Sequence, residues 1–378
     1  LEAPPTAPPK AAPPKGPDVT PGCHPGGTLA VPEFHREGDQ GQGKGKGKGK
    51  KPQPFAWIRQ ANDDEAREMR RQISAMTIKA VEAGGYLLRR PASRAEAAAA
   101  GAHDQLHLSH VASMLGGTRL FSGGRGLPGF DDRGLYTRKV GASTTLTRNK
   151  PSVLMLDAAK AVRSRHERVS IVNAASTYHC GGGFVTGGRH ALEEALCVQT
   201  TLHQSLAQMR LMVVGEETAS KKHHAPYIPV DGVVISPDVE VFREGANLGY
   251  FFLGRADTAP LTLLHREDTA PWKLASVISV AMFNKNAKMR DAPVDAPQDD
   301  TEYRTQVKAK FRSVLAAAVE VGSTALVMCD IGCGVYENSP DVVGDCFGQV
   351  LKEEFWGRLE EVSLCGKKEF QEKVSLWA

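Results

Sequence analysis

Two adjacent carboxylates and two glycine-rich stretches are the parts of this chain whose residue types could do chemistry. Glu193 and Glu194 stand side by side where a helical pattern opens, Ala191-Leu192-Glu193-Glu194-Ala195-Leu196. The helix dipole favours negative charge in a first turn. Neighbouring helical residues point about 100° apart. Such a pair cannot straddle a bond as the two carboxylates of most glycosidases do. One of them could reach a leaving oxygen while the other holds nearby hydroxyls. Taken alone, the pair reads more simply as solvated first-turn residues serving the helix dipole. Upstream lie Gly181-Gly182-Gly183 and then Gly187-Gly188. Backbone without side chains can approach a ligand closely, and loop N–H groups can cradle phosphate oxygens. The second stretch is Gly332-Cys333-Gly334-Val335-Tyr336-Glu337-Asn338. Ser339 then stands as an N-cap, with Pro340 at the first helical position and Asp341 in the first turn. A glycine loop opening a helix is an anion site by geometry.

The elements that must position these loops can be read from hydrophobic patterning. Val169–Ala175, Leu274–Met282 and Thr324–Cys329 are apolar runs that read as buried strands. Val233–Phe242 reads as two short strands around Pro237, which cannot donate to a ladder. Asn62-Asp63-Asp64-Glu65 starts a helix that Gly84-Gly85 stops. Tyr86-Leu87-Leu88 reads as a short strand, and Arg94–Ala100 as a helix capped by Ser93. Residues 101–134 read as loop and short helix. Thr144–Leu146 starts an extended piece, Val153–Val162 is helical, and one helix runs from the glutamates through Leu202, Leu206 and Met209. Tyr303–Val321 is an amphipathic helix ending before Gly322. Alternating strands and helices predict an α/β sheet covered on both faces. Ligand sites in such sheets lie at the carboxyl ends of strands, where both glycine loops fall.

Composition narrows the reading. The chain has 378 residues, 41% hydrophobic and 24% charged, enough for one large or two ordinary domains. Residues 1–54 are Pro/Ala-rich and then Gly/Lys-rich, and read as a disordered tail because they hold too little apolar surface to offset ordering. The run Gly43–Lys51 is a flexible polycation able to contact polyanions, or else a solubilising linker. Seven cysteines without scaffold spacing suit a reducing compartment, so an intracellular location, nucleus or cytoplasm, is expected. Cys329 and Cys333 lack a second pair at zinc spacing, so no metal is expected. No apolar run approaches the ~20 residues of a membrane span.

The segment Arg168–Leu202 and the loop Gly332–Asn338 together resemble microbial-type poly(ADP-ribose) glycohydrolases. The resemblance rests on the glycine triplet followed by a glutamate pair, on Asn173-Ala174-Ala175 before it, and on Glu194-Ala195-Leu196-Cys197 after it. A Ser236-Pro237-Asp238-Val239 segment and the GCGV loop agree. It covers roughly Thr144 to Leu351. It implies a three-layer α/β/α macrodomain with a mixed central sheet and an N-terminal helical extension, divided as tail 1–54, extension 55–143 and catalytic domain 144–378. It implies hydrolysis of ribose–ribose O-glycosidic bonds with release of ADP-ribose, without cofactor. Glu194 matches the catalytic acid–base, and Glu193 the neighbour that orients ribose hydroxyls. Asn173, Gly181, Gly182, Gly183 and Phe184 are expected around the terminal ribose. Gly332, Cys333, Gly334, Val335 and Tyr336 are expected around the diphosphate. Phe242 and Phe283 stand near an adenine or, more simply, in the core, and His179 and His190 are given no role. The expected partner is poly(ADP-ribose) or ADP-ribosylated protein, acted on by a monomer. Two departures stand out: Leu192 replaces the glutamine before the glutamates, and Cys180 the proline before the glycines. Leu192 leaves open a second reading, a reader of ADP-ribose with weak or no turnover; a third, a hydrolase of ADP-ribose ester-linked to protein, stays open because linkage preference depends on pocket shape.

Overall fold

A computed structural model describes residues 64–89, 103–123, 142–215, 225–254, 270–289 and 292–378. The expected tail 1–54 and the expected helix Arg94–Ala100 lie outside these residues. In chain order the elements are α1 (Asp64–Glu82), β1 (Gly85–Arg89), β2 (His103–His107), α2 (Val111–Gly117), β3 (Arg119–Ser122), β4 (Thr145–Arg148), α3 (Met155–Arg163), β5 (Val169–Ala174), α4 (Leu192–Gln199), α5 (Leu202–Val214), β6 (Gly232–Pro237), β7 (Glu240–Val241), β8 (Trp272–Lys273), β9 (Ser276–Val280), α6 (Asp300–Glu320), β10 (Ala325–Met328), α7 (Pro340–Val350), β11 (Glu361–Leu364) and α8 (Lys368–Ser375).

Seven strands form one mixed sheet in the order β3-β6-β9-β5-β10-β11-β4. From β9 to β4 all neighbours run parallel. The β3–β6 and β6–β9 pairs are antiparallel. Every residue of β5, β9 and β10 except half-buried Ala174 is buried, as predominantly apolar central strands require. Ile171, Val172, Val277, Ile278, Leu326 and Val327 have no exposed surface. Burying each such side chain contributes about 1.5–3 kcal/mol. The serines in these strands are satisfied by one another: Ser170 Oγ lies 2.7 Å from Ser276 Oγ and 2.6 Å from Ser323 Oγ. Helix α3 packs on β5 and β10, α4 on β5, and α6 on β6 and β9.

Three local expectations need correction. Residues 101–134, expected to hold only loop and a short helix, contribute β2 and β3. Strand β2 pairs with β1 across a sequence gap, and β3 joins the main sheet through β6. The sheet therefore starts at Arg119, inside the segment expected to precede it. Their pairing partners are distant in sequence, and a short polar strand such as HDQLH carries no alternation to announce it. The single helix expected after the glutamates is two helices. Thr200 Oγ1 donates to the Leu196 carbonyl (2.7 Å) and accepts from the Leu202 N–H (3.1 Å), which breaks the ladder there. Ser339 does precede α7, with Pro340 at its start, but makes no side-chain cap bond.

Candidate active site

Strands β5, β9, β10 and β11 end on the same edge of the sheet, and a cavity of about 480 Å³ opens there. Its wall includes Ala175 and Ser176 beyond β5, Met282 beyond β9, Cys329 and Asp330 beyond β10, and Cys365 and Gly366 beyond β11. This is the carboxyl edge at which parallel α/β sheets hold ligands.

Glu194 lies in this wall, half-buried, and both of its carboxylate oxygens are held by backbone. The Gly183 N–H donates to Oε1 (2.8 Å) and the Ala191 N–H to Oε2 (3.0 Å). The second bond is the backward half of a capping box, in which the residue three into the helix reaches the cap N–H. Glu193 also touches the cavity, but it is 5% exposed and points into the loop behind it. It accepts from the Ser176 N–H (2.9 Å) and the Gly181 N–H (3.1 Å). Burial, reinforced by the negative charge of Glu194, holds the Glu193 carboxyl well above the usual range. Asn173 lies against it and opposes that shift.

The loop that carries the glycine triplet is shaped around these two acids. Gly182 has φ +55°, and a Cβ there would sit 2.4 Å from Glu194 Oε1. A side chain at Gly182 would therefore displace the carboxylate as well as strain the backbone. Gly182 N–H donates to the His179 carbonyl, Phe184 N–H to Gly181, and Gly188 N–H to Gly183. The expected phosphate cradle at Gly181–Gly183 is thus already occupied: the N–H groups of all three go to Glu193, His179 and Glu194. Two buried or half-buried carboxylates are the nearest strong acceptors, and they take the donors first.

The second loop is different. The N–H groups of Gly332, Gly334 and Val335 make no hydrogen bond among the described residues. Its shape is held by Asn338, whose Nδ2 donates to the carbonyls of Phe283 (2.7 Å) and Gly332 (2.9 Å) while its Oδ1 accepts from Tyr303 Oη (2.6 Å). Asn286 Nδ2 ties Val335 (2.9 Å) and the Lys285 N–H ties Tyr336 (3.0 Å) from outside. Gly332, with φ +72°, packs against Met282, where a Cβ would come within 2.4 Å of Cγ.

Of the expected site residues, Glu193, Glu194, Gly182, Gly183, Gly332, Gly334, Val335 and Tyr336 line the cavity together. Asn173, Gly181, Phe184 and Cys333 do not. Asn173 is fully buried on β5, its Nδ2 donating to Ser279 Oγ (3.1 Å). Phe184 packs on His203 with ring centroids 4.7 Å apart. Cys333 is buried under its loop. Phe242 and Phe283 are core residues, as the simpler reading has it.

His190 belongs to the cavity wall, although neither its position in the sequence nor the resemblance gives it a role. Its Nδ1 lies 3.3 Å from Tyr250 Oη, and burial, followed by the nearby Arg70 charge, lowers its pKa to about 3. Tyr250, in the left-handed region at φ 57°, and Asp330 also face the cavity, and sequence reasoning misses both. Tyr250 sits in a stretch without periodic signal, so only the fold brings it here. Among the described residues no group of His, Cys, Asp and Glu is arranged to hold a metal, and no helix is long and apolar enough to cross a membrane.

Residues 76–244 match the family model described as microbial-type PARG, catalytic domain. That match spans fewer than half of the residues of the chain, which is similar there to the microbial-type PARG catalytic domain. Three solved PARG structures are similar in fold. Poly(ADP-ribose) glycohydrolase from Thermomonospora curvata is 24% identical with a TM-score of 0.58, over 82% of this chain and 100% of that one. The same organism's enzyme bound to the inhibitor ADP-HPD gives 22% identity and a TM-score of 0.55, over 81% and 98%. The Deinococcus radiodurans enzyme in complex with ADP-ribose gives 23% and 0.51, over 72% and 100%. No curated protein matches. The PARG match contains the glutamate loop and ends well before Gly332, so the second loop is placed in the site by the structure.

Proposed function

We propose that this chain is a poly(ADP-ribose) glycohydrolase that hydrolyses ribose–ribose O-glycosidic bonds and releases ADP-ribose. One observation carries the reading. A carboxylate fixed by two backbone N–H groups shares a single cavity with a glycine loop in which the N–H groups of Gly332, Gly334 and Val335 make no hydrogen bond among the described residues. The open loop suits a diphosphate, with the first turn of α7 behind it. The terminal ribose then reaches Glu194. Glu194 gives its proton to the departing ribose oxygen as the anomeric C–O bond breaks. Water then adds to the anomeric carbon and returns a proton to Glu194. Glu193 serves as the brace that holds Ser176 and Gly181 in place, in addition to any contact with a ribose hydroxyl.

The finer architecture follows the same reading. Helices against a seven-stranded mixed sheet support a three-layer macrodomain, with α1 and the β1–β2 ribbon as its N-terminal extension. The organisms of the similar structures are bacteria, which argues against a nuclear address.

The test is incubation of the full chain with long poly(ADP-ribose) beside Glu194→Gln, with released ADP-ribose resolved by chromatography. Release by the wild type alone is the expected result. No release, with ADP-ribose binding retained in calorimetry, would replace the hydrolase by a reader.

A further inference from the structure

His190 and Tyr250 make a polar pair in the cavity wall that the hydrolytic step does not use. They come from different parts of the chain: His190 ends the glutamate loop, and Tyr250 closes the turn that follows β7. His190 Nδ1 lies 3.3 Å from Tyr250 Oη, and the ring centroids are 5.4 Å apart. The two residues are 6% and 1% exposed. His190 Nε2 has no hydrogen-bond partner among the described residues, so the Tyr250 hydroxyl is the polar anchor of the ring there. Tyr250 is itself fixed. Its N–H donates to the Gly245 carbonyl (3.2 Å), and its carbonyl accepts from Arg243 Nη1 (2.9 Å). Arg243 is buried, with its guanidinium 3.8 Å from the Phe252 ring centroid. These contacts keep a bulky residue in the left-handed region at φ 57°. Such a conformation persists only where the surroundings determine it.

The pair is one peptide away from the chemistry. The Ala191 N–H that donates to Glu194 Oε2 (3.0 Å) belongs to the peptide joining His190 to Ala191. A turn of the His190 backbone swings that donor away from the carboxylate. Earlier in the same loop, α1 fixes two carbonyls: Arg67 and Arg71 donate to Thr186, and Arg70 to Gly187. Between Gly187 and Ala191 the buried side chain is that of His190, since Gly188 has none and Arg189 is exposed. Resting on the glycohydrolase reading, we propose that Tyr250 and His190 are positioning residues for Glu194. The hydroxyl of Tyr250 fixes the imidazole, the imidazole fixes the 190–191 peptide, and that peptide holds Glu194 Oε2. The imidazole is neutral, with a pKa of about 3, so it acts on Glu194 by geometry rather than by charge. Without the hydroxyl, the buried Nδ1 has no partner either, and the ring is free to leave its place. A small misplacement of an acid–base group costs rate far more than binding.

The test compares full-length wild type, Tyr250→Phe, His190→Ala, His190→Asn and the double variant Tyr250→Phe/His190→Ala. Each is assayed well below its own melting temperature. kcat and KM are measured on long poly(ADP-ribose), and affinity for free ADP-ribose by calorimetry. Tyr250→Phe keeps the ring and its packing. It should lower kcat about tenfold while KM and ADP-ribose affinity stay within about twofold. His190→Ala should lower kcat at least as much. His190→Asn, whose amide stands where Nδ1 stands, should recover most of that loss. The double variant should be no slower than His190→Ala, because the two residues act through one contact. If His190→Ala does not fold, Tyr250→Phe decides alone. An unchanged kcat in Tyr250→Phe overturns the inference while the glycohydrolase reading stands. So does a parallel fall of kcat and ADP-ribose affinity, which would mark a general loosening of the cavity wall, and so do single losses that multiply in the double variant. A wild type that releases no ADP-ribose defeats both readings.

Discussion

The two glycine loops look alike in sequence and do opposite work. In the first, Gly181–Gly188, the N–H groups of the triplet are spent on the protein itself, two of them on carboxylates. In the second, Gly332–Asn338, the N–H groups of Gly332, Gly334 and Val335 make no hydrogen bond among the described residues, and Asn338 from within the loop and Asn286 from outside hold the shape. The first loop is a mount for acids. The second, on the reading proposed above, is a receptor for an anion. What decides between them is the nearest strong acceptor. Where glutamates start the following helix, they close the loop on themselves; where a Ser-Pro start without a side-chain cap follows, the donors remain for a ligand.

The largest expected effect isolates the mounted acid. Glu194→Gln should lower turnover by about 10³-fold, within the usual range for a general acid–base. ADP-ribose affinity should remain within about tenfold, because the open loop is untouched. Turnover at the wild-type level would remove Glu194 from the chemistry.

Paired glycine variants separate the loops themselves. Gly182→Ala puts a methyl group against Glu194 Oε1 in a left-handed backbone position. A misplacement of that size at an acid–base group should cost about a hundredfold in kcat with little change in ADP-ribose affinity. Gly332→Ala pushes on Met282 and distorts the open loop. It should instead weaken ADP-ribose by about tenfold, or ~1.4 kcal/mol. Steady-state kinetics with calorimetry on both variants decides. Equal losses of kcat and affinity in the two would erase the contrast between mount and receptor.

A pH series probes the mount from beneath. Glu193 holds its proton to a higher pH in the folded protein than in the unfolded chain, where an ordinary glutamate titrates near pH ~4.3. Between those two values the folded state binds more protons. Stability is therefore full below the unfolded value and declines as pH rises through the folded one. Glu193→Gln cannot ionise, so it should lose that decline. The melting temperature of the variant relative to wild type should rise steadily from pH 5 to pH 8. A difference that stays flat across the series would mean that Glu193 is not held in its neutral form.

The central strands, the two glycine loops and the glutamate pair are legible in the sequence because each is a local signal: an apolar run, a glycine cluster, a charge at a helix start. The roles of the two loops are only half legible. Nothing in Gly181-Gly182-Gly183 says where its N–H groups point until Glu193 and Glu194 fold back on them. Asn173 looks like a strand-end ligand, yet the strand runs one residue further and buries it against Ser279. Strands β2 and β3 are illegible because their partners, Gly85–Arg89 and Gly232–Pro237, are set by pairing at a distance. Tyr250 and the α1 arginines escape for the same reason. Their contacts with His190, Thr186 and Gly187 span 60 to 119 residues.

The smallest expected effect concerns Leu192, the departure that leaves weak turnover open as a reading. Leu192 is half-buried, faces the cavity and packs against the core. The loss of an amide at position 192 does not leave the loop without braces. The loop is already held by Glu193, Glu194, the Gly188 N–H, and from behind by Arg70 and by Ser74 Oγ on the Phe184 carbonyl (2.7 Å). One more hydrogen bond contributes about 0.5–1.5 kcal/mol, and less where the group is already ordered. Leu192→Gln should therefore leave the melting temperature unchanged and raise kcat by no more than about two- to threefold. A rise of a hundredfold in the same assay would show that the mounted loop, for all its bonds, is the element that limits the reaction. The fixed first loop and the open second one would then differ less in mobility than their hydrogen bonds imply.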